Sequence, residues 1–292
     1  MAWVIGSTPL MSFSPKSEAY QKLTSSWFEN ELNRCMPLLK KLDSDPIELQ
    51  KFVDSESRQL LGKRFELFIE YWLRHSGAYE VVLSNVQVKK ELRTIGELDY
   101  VLKHLESGEV WHFEVACKYY LGFKNSALWT NWLGINAKDS LGDKMSKFDR
   151  QLSIFQTPEG QQLLDRERLT LPKSFLLMKG FFFYEWTTLK KAKAPKQSNK
   201  GHNTGLFVKS SDIPAFFSAD NSWVILNKQH WFSRYSSTDT LEVYSELAVI
   251  DRVREILAQY NFGVMLARLN SHSPVPLEDL RVVVVPDAWP SH

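Results

Sequence analysis

Two segments of the chain carry apolar residues at helical spacing. Between residues 57 and 77 these positions are Leu61, Phe65, Phe68, Ile69 and Trp72. Between residues 138 and 155 they step by four, three, four and three, at Leu141, Met145, Phe148, Leu152 and Phe155. A repeat of three to four residues places side chains on one face of a helix, so the pattern predicts two amphipathic helices.

The chain between these helices, and the stretch after the second, is strand-like. Residues 79–90, 94–105 and 109–121 are rich in β-branched and aromatic residues and are separated by short polar turns, which predicts a three-strand meander. Residues 174–186, SFLLMKGFFFYEW, predict a further buried strand. The order helix, three strands, helix, strand predicts an α/β core with helices packed on a sheet.

The rest of the chain is predicted to extend this core on both sides. Residues 1–56 are read as a helical N-terminal extension that Pro37 and Pro46 interrupt. Residues 57–185 form the predicted core. Residues 186–292 are read as an α+β extension packed on it, with strands in SWVILNK and RVVVVP and a helix in SELAVIDRVREILAQY.

Segment 96–120 carries charge where core residues are expected. Because side chains alternate between the two faces of a strand, Glu114 and Lys118 share a face of their strand. If the chain turns near Ser107, Asp99 lies roughly opposite Glu114. Two carboxylates and a lysine are then gathered on one face, while the alternate residues of the second strand point into the core.

Two readings of these acids stay open. Such charges are common on the solvated face of an antiparallel sheet. Alternatively, the flanking helices cover the sheet, and close like charges under partial burial need a cation to remain ionised. Mg²⁺, which takes oxygen ligands from one or two carboxylates and keeps several waters, is the natural partner. Glu66, at the edge of the apolar stripe of the first helix, is a further candidate acid.

Composition narrows the class of protein without selecting a function. The 292 residues include 43% apolar and 13% aromatic residues, which argues against a disordered chain. A net charge of +2 neither requires nor excludes a nucleic-acid partner. Two cysteines are too few for a disulfide framework, and no apolar run reaches the roughly 18 residues of a membrane span. We therefore expect a cytoplasmic protein with no membrane partner.

Four segments, taken together in this order, resemble a known protein family. They are LGKRFELFIEYWL, NVQVKKELRTIGELDYVL, VWHFEVACKYYLG and WLGINAKDSLGDKMSKFDRQL. The acids on helix, strand and strand resemble the PD-(D/E)XK nuclease superfamily. More closely, the four segments resemble the bacterial domain-of-unknown-function 1853 family, which is usually placed in that superfamily. The resemblance is close over roughly residues 56–185.

The resemblance implies a metal-dependent nuclease-like core with four catalytic residues. Asp99 and Glu114 match the metal-binding acids, Lys118 the lysine, and Glu66 the helix acid that binds a second metal or its water. The implied cofactor is Mg²⁺, with Mn²⁺ as a substitute. The implied partner is nucleic acid, with DNA as the first candidate.

The lysine departs from the superfamily pattern. That pattern puts lysine two residues after the second acid, where this chain has Ala116, and Lys118 follows two residues later. Two residues along a strand span about 6.6 Å. The flexible stem of a lysine can point back over that distance. A chain that has lost activity but retains a nucleic-acid-binding core fits this departure as well.

Supporting residues are proposed on the second helix and the meander. Lys144, Lys147 and Gln151 form one polar ridge that either contacts phosphates near the site or is an ordinary solvated helix face. Gln87 and Arg93 lie in segments that match the family and are candidates for nucleic-acid contact.

A lysine-rich segment near residues 187–205 is predicted to be a mobile loop. It contains Lys190, Lys191, Lys193, Lys196 and Lys200 and no acid, with Pro, Ser, Asn and Gly between them. It either binds nucleic acid, releasing a counterion for each phosphate that a lysine neutralises, or is a solvated insertion.

These observations support three hypotheses for the function of the protein, each from a different class. The leading hypothesis is a Mg²⁺-dependent phosphodiester hydrolase. The alternatives are a non-catalytic nucleic-acid-binding module on the same fold, and a protein-interaction scaffold whose ten Trp and eighteen Phe residues serve packing and contacts.

Overall fold

A computed structural model describes residues 1–12, 20–54, 60–217, 221–236, 240–260, 262–270 and 276–291. The helices are α1 (Ala2–Gly6), α2 (Ser25–Arg34), α3 (Met36–Ser44), α4 (Ile47–Asp54), α5 (Leu61–His75), α6 (Leu141–Leu152), α7 (Pro158–Glu167), α8 (Ile213–Phe216) and α9 (Glu246–Tyr260). The strands are β1 (Tyr79–Lys90), β2 (Arg93–His104), β3 (Val110–Gly122), β4 (Trp132–Gly134), β5 (Lys173–Glu185), β6 (Thr204–Lys209), β7 (Ser222–Ile225), β8 (Val243–Ser245), β9 (Val264–Asn270) and β10 (Leu277–Val285). The fold is mixed α/β with a mixed parallel and antiparallel sheet.

The predicted elements of the core are confirmed as elements. The first amphipathic helix is α5, the meander is β1 to β3, the second helix is α6 and the buried strand is β5. Residues 57–59, where the first helix was expected to begin, lie outside the described residues. The predicted second helix is shorter than its apolar repeat, because α6 ends at Leu152 and a 3₁₀-helix follows over Ile154–Gln156.

The chain divides into two compact units that interleave along the sequence. The first unit contains residues 1–118, 144–179 and 197–202. The second contains residues 119–143, 180–196 and 203–292.

In the first unit, helices pack on both faces of the sheet around β2. On one face Val88 and Leu98 pack with Ile154, Leu163 and other apolar residues of the 3₁₀-helix and α7. On the other face, Tyr100 donates a hydrogen bond from its hydroxyl to the backbone oxygen of Glu66 on α5, at 3.0 Å. Both faces of the sheet are therefore covered around the middle of β2.

In the second unit, the strand order is β6, β10, β9, β7, β8. The pair β6 and β10 is parallel, and the pairs β10 with β9 and β7 with β9 are antiparallel. Helix α9 contributes Val249 and Val253 to a core with Leu266, Val282 and other buried apolar residues. The strands predicted in SWVILNK and RVVVVP and the helix before Tyr260 are confirmed as β7, β10 and α9.

Within the described residues, every helix is too short or too polar to serve as a membrane span.

Candidate active site at the separation of β2 and β3

The site lies where β2 and β3 stop pairing. Their antiparallel register runs from Lys103 opposite Val110 to Tyr100 opposite Phe113. One step further along the same register puts Asp99 opposite Glu114, which is the relationship that a turn near residues 107–108 predicted. Beyond Tyr100 the two strands part, so their next backbone groups need other partners.

Carboxylate oxygens replace the missing backbone pairs at this point. The backbone nitrogen of Val115 donates a hydrogen bond to Oδ2 of Asp99 at 2.7 Å. The backbone nitrogen of Asp99 donates to Oε1 of Glu114 at 3.4 Å. Each carboxylate thereby accepts a hydrogen bond from a backbone amide of the opposite strand, and these two hydrogen bonds hold the acids side by side.

Burial makes this pair electrostatically costly to ionise. The Glu114 side chain is fully buried. Burial, and then the charge of Glu114, raise the pKa of Asp99 to about 8, against the opposing effect of the Val115 amide. Burial raises the pKa of Glu114 to about 8. Hydrogen bonds from Asp99 and the charges of Lys144 and Lys147 oppose this rise. Near neutral pH the pair therefore binds protons unless a cation replaces them.

A second buried contact holds Glu114 from its own strand. Nε2 of His112 lies 2.9 Å from Oε1 of Glu114, and Nδ1 of His112 lies 3.1 Å from the hydroxyl of Ser174 on β5. The side chains of His112 and Glu114 are both fully buried. Burial lowers the pKa of His112 to about 4, so the imidazole is neutral at physiological pH. His112 and Glu114 are two residues apart on β3, so the alternation of side chains puts them on the same face of the strand.

The donor set fits a hard divalent cation. Oε2 of Glu114 is buried and accepts no hydrogen bond from the described residues, while Oε1 faces His112 and the Asp99 amide. A buried carboxylate oxygen that lacks a partner favours a ligand. Two carboxylates are also the usual protein contribution to a magnesium site. Among the described residues, no three His, Cys, Asp or Glu side chains form a group that could hold a metal ion, so the remaining ligands would be waters or substrate oxygens.

Lys144 on α6 places a positive charge within electrostatic range of the two carboxylates. Its ammonium lies over the ring of Phe148 at 4.0 Å from the ring centre. Burial, then the charges of Lys147 and Lys118, lower the pKa of Lys144 to about 8, and the two carboxylates oppose this effect. The three lysines thus lie within electrostatic range of one another, with Lys144 half-buried and Lys147 exposed.

Gln151 anchors α6 to the open edge of β2. Its Nε2 donates to the backbone oxygen of Glu97 at 2.9 Å, and its side chain is buried. The reading of this residue as part of a solvated helix face is therefore wrong. Helix α6 covers the edge of β2 that β3 leaves, and Gln151 satisfies a carbonyl there.

Glu66 lies near the pair without contacting it. Its carboxylate is 3.3 Å from Nζ of Lys63 and is about one-third exposed. Its charge is among the smaller causes that raise the pKa of Asp99. Glu66 is thus within electrostatic range of the carboxylate pair.

Gln87 and Arg93 lie further along the meander. Gln87 is exposed, pairs with Glu97 across β1 and β2, and accepts a hydrogen bond from Thr94 at 3.4 Å. Arg93 is exposed at the end of β2, six residues from Asp99, or about 20 Å along the strand.

The lysine-rich segment begins with a 3₁₀-helix over Trp186–Lys191. Its lysines are exposed. Near its end, Asn199 is buried and donates to the backbone oxygens of Pro9 and Met11. The N-terminal segment therefore holds this end of the loop.

Comparison with known proteins identifies the family. Residues 1–285 match the family described as Domain of unknown function (DUF1853). The chain belongs to this family. No curated protein and no solved structure matches the DUF1853 chain.

Proposed function

We propose that this DUF1853 protein is a Mg²⁺-dependent phosphodiester hydrolase that acts on nucleic acid, with DNA as the first candidate. The observation that carries the proposal is the pair formed by half-buried Asp99 and buried Glu114, in which Oε2 of Glu114 is buried and has no hydrogen-bond partner among the described residues. The resemblance to the PD-(D/E)XK superfamily agrees with this role for the two acids.

The two carboxylates would hold the cation. In the metal-free protein both have a pKa of about 8, so a divalent cation that binds displaces protons and neutralises the charge of the two ionised carboxylates. When bound, Mg²⁺ supplies Lewis-acid polarisation of a phosphate oxygen and a lower pKa for water. Glu66, whose charge acts on Asp99, would assist a second ion or its water.

The lysines would stabilise negative charge on the phosphate in the transition state. The superfamily position holds Ala116, and Lys118 follows it by two residues. Lys144 on α6 acts electrostatically on both carboxylates and is half-buried, so its charge acts in a poorly screened environment. Lys118 and Lys144 are therefore both candidates for the catalytic cation, and Lys147, Gln87 and Arg93 for contacts to the nucleic-acid backbone.

A second candidate function is a binding module without catalysis. Ala116 at the expected lysine position favours it. The carboxylate pair and the lysines would then hold a cation and a phosphate backbone but would not cleave it.

Cleavage of labelled DNA and RNA separates the two functions. The parent, Asp99→Asn and Glu114→Gln are incubated with Mg²⁺, with Mn²⁺ and with EDTA on single-stranded, double-stranded and branched substrates. We expect metal-dependent cleavage by the parent alone. Salt-dependent binding by all three proteins without cleavage on any substrate would replace the hydrolase with the binding module.

A further inference from the structure

We propose that His112 and Ser174 are positioning residues that hold one oxygen of Glu114 and leave the other to the divalent cation. The proposal rests on the metal site of the proposed function. It assigns a role to two residues to which neither the superfamily pattern nor the resemblance gives one.

When the cation is bound Glu114 is ionised, and its two oxygens can then only accept hydrogen bonds. Because Oε1 of Glu114 accepts, Nε2 of His112 must carry the proton of the neutral ring. Nδ1 is then an acceptor, and the Ser174 hydroxyl donates to it. Ser174, His112 and Glu114 thus form a directed chain of hydrogen bonds.

The chain is fixed at its outer end. The backbone oxygen of Ser174 accepts a hydrogen bond from the backbone nitrogen of Gln21 at 2.8 Å, and Tyr20 forms a β-bridge with Ser174. Ser174 is itself buried. The hydroxyl that orients His112 therefore comes from a strand residue that backbone contacts hold in place.

The two oxygens of Glu114 are made unequal by this chain. Oε1 faces both His112 and the Asp99 amide, whereas Oε2 is buried without a partner among the described residues. A core histidine needs only its own nitrogens satisfied. Here the His112 ring also holds Oε1 and so prevents rotation of the carboxylate, which keeps Oε2 pointing toward the proposed cation position. Such outer contacts to metal-binding side chains typically change affinity by about 10- to 100-fold.

The test measures metal affinity and does not depend on turnover. Mn²⁺ is titrated into the full-length parent, His112→Leu, His112→Gln, Ser174→Ala and Ser174→Thr by calorimetry, well below each melting temperature. We expect His112→Leu to weaken Mn²⁺ binding by about 10- to 100-fold. Ser174→Ala should weaken it by a smaller factor. His112→Gln, which keeps an N–H donor, and Ser174→Thr, which keeps the hydroxyl, should restore most of the affinity.

A destabilised control separates positioning from stability. Val253→Ala removes buried apolar volume from the core of the second unit. It should lower the melting temperature and leave Mn²⁺ affinity unchanged. If His112→Leu fails to fold, the Mn²⁺ affinities of Ser174→Ala and Ser174→Thr are compared instead, because only Ser174→Thr keeps the hydroxyl that orients the ring.

The possible outcomes show whether the positioning role, the hydrolase activity or both are wrong. Mn²⁺ affinity equal to the parent in both His112→Leu and Ser174→Ala would overturn the positioning role and leave the hydrolase intact. A parent that binds Mn²⁺ but cleaves no substrate would overturn the hydrolase, while the variant affinities still decide the positioning role. A parent that does not bind Mn²⁺ would overturn both.

A nitrogen spectrum of the histidines gives an independent readout. In protein with ¹⁵N-labelled histidine and bound Mg²⁺, the His112 signals, assigned by their loss in His112→Gln, should show a protonated Nε2 and an unprotonated Nδ1. The opposite tautomer would contradict the direction of the chain.

Discussion

Asp99 and Glu114 lie opposite each other at the point where two antiparallel strands separate, and each accepts a backbone amide hydrogen that the strands no longer pair. Val115 donates to Asp99 at 2.7 Å, and the Asp99 amide donates to Glu114 at 3.4 Å. The same two carboxylates therefore close the end of the β-ladder and form the centre of the candidate site.

Removing either charge should abolish metal-dependent cleavage. Asp99→Asn and Glu114→Gln keep the size of the side chain but remove the charge that a hard cation requires. Without metal both variants should melt no lower than the parent, because the repulsion in the pair is relieved. They should lose the stabilisation by Mg²⁺ that the parent gains by mass action. Melting scans with and without Mg²⁺, alongside nucleic-acid binding that survives both changes, check this.

Glu80→Gln is the matched control for these variants, since Glu80 is exposed on β1. It should keep both cleavage and the Mg²⁺ shift. Loss of the shift in this variant as well would mean that Mg²⁺ acts elsewhere on the protein.

Lys144 and Lys118 should affect turnover and not metal binding. Lys144→Met and Lys118→Met remove a cation near the phosphate position, and loss of one such stabilising group typically slows catalysis by about 10²- to 10³-fold. A cation does not hold another cation, so the Mg²⁺-induced shift in melting temperature should be retained. Lys103→Met, at an exposed position of β2, should change neither property. Parent-like rates in both site variants would remove the lysines from the mechanism.

The metal-free protein should lose stability between pH 6.5 and 8. The pKa values of Asp99 and Glu114 are raised from 3.8 and 4.5 to about 8, so the folded state binds more protons than the unfolded state in this interval. Their contribution is fully present below about pH 4 and is lost as the pH rises through about 8. Each proton that the folded state binds in excess of the unfolded state across this interval is worth about 2 kcal/mol, or about 3 °C in melting temperature for a chain of 292 residues.

Neighbouring groups titrate outside this interval. The pKa of His112 is lowered from 6.5 to about 4 and that of Lys144 from 10.5 to about 8. His112 therefore changes the stability of the protein mainly below pH 6.5, and Lys144 mainly above pH 8. The decline should be smaller in Asp99→Asn and in the presence of Mg²⁺. An equal decline in Asp99→Asn and the parent would contradict the raised pKa values.

The lysine-rich segment should contribute to nucleic-acid affinity through charge. Replacing Lys190, Lys191, Lys193 and Lys196 by Gln should weaken binding. It should also reduce the slope of log affinity against log salt, by up to about 0.9 for each phosphate that is no longer neutralised. Replacing four other exposed lysines, Lys40, Lys51, Lys103 and Lys228, is the matched control. Equal slopes in both sets would identify the segment as a solvated insertion.

Gly160 should be intolerant of a side chain. A Cβ there would lie 2.8 Å from the carbonyl carbon of Ile154 and 2.9 Å from Cα of Phe155, both backbone atoms. We expect Gly160→Ala to destabilise the protein by about 1–3 kcal/mol. Gly62→Ala, where a Cβ meets nothing within 4 Å, should be neutral or stabilising by up to about 1 kcal/mol. Urea unfolding of both variants measures the difference.

Helical periodicity and β-branched, aromatic stretches identified most elements of the core. The repeat from Leu61 to Trp72 predicted α5, and the β-branched stretches predicted β1 to β3, because the spacing of apolar side chains reports which face is buried. The opposition of Asp99 and Glu114 was predictable for the same local reason, since a turn near residues 107–108 sets the register of the two strands that it joins. Helix α7 was missed because its apolar contribution is limited mainly to Leu163 and Leu164.

Tertiary structure decided the chemistry around those two acids. Whether they are solvated or buried depends on which helix covers their face, and Gln151 of α6 meets β2 across 54 residues of sequence. Ser174 meets His112 across 62 residues, and the approach of Lys144 likewise depends on how α6 packs. Local patterns contain no information on such distant partners. The sequence by itself therefore determined which carboxylates face each other, whereas the packing of α6 and β5 determined their burial, their raised pKa values and the groups that hold them.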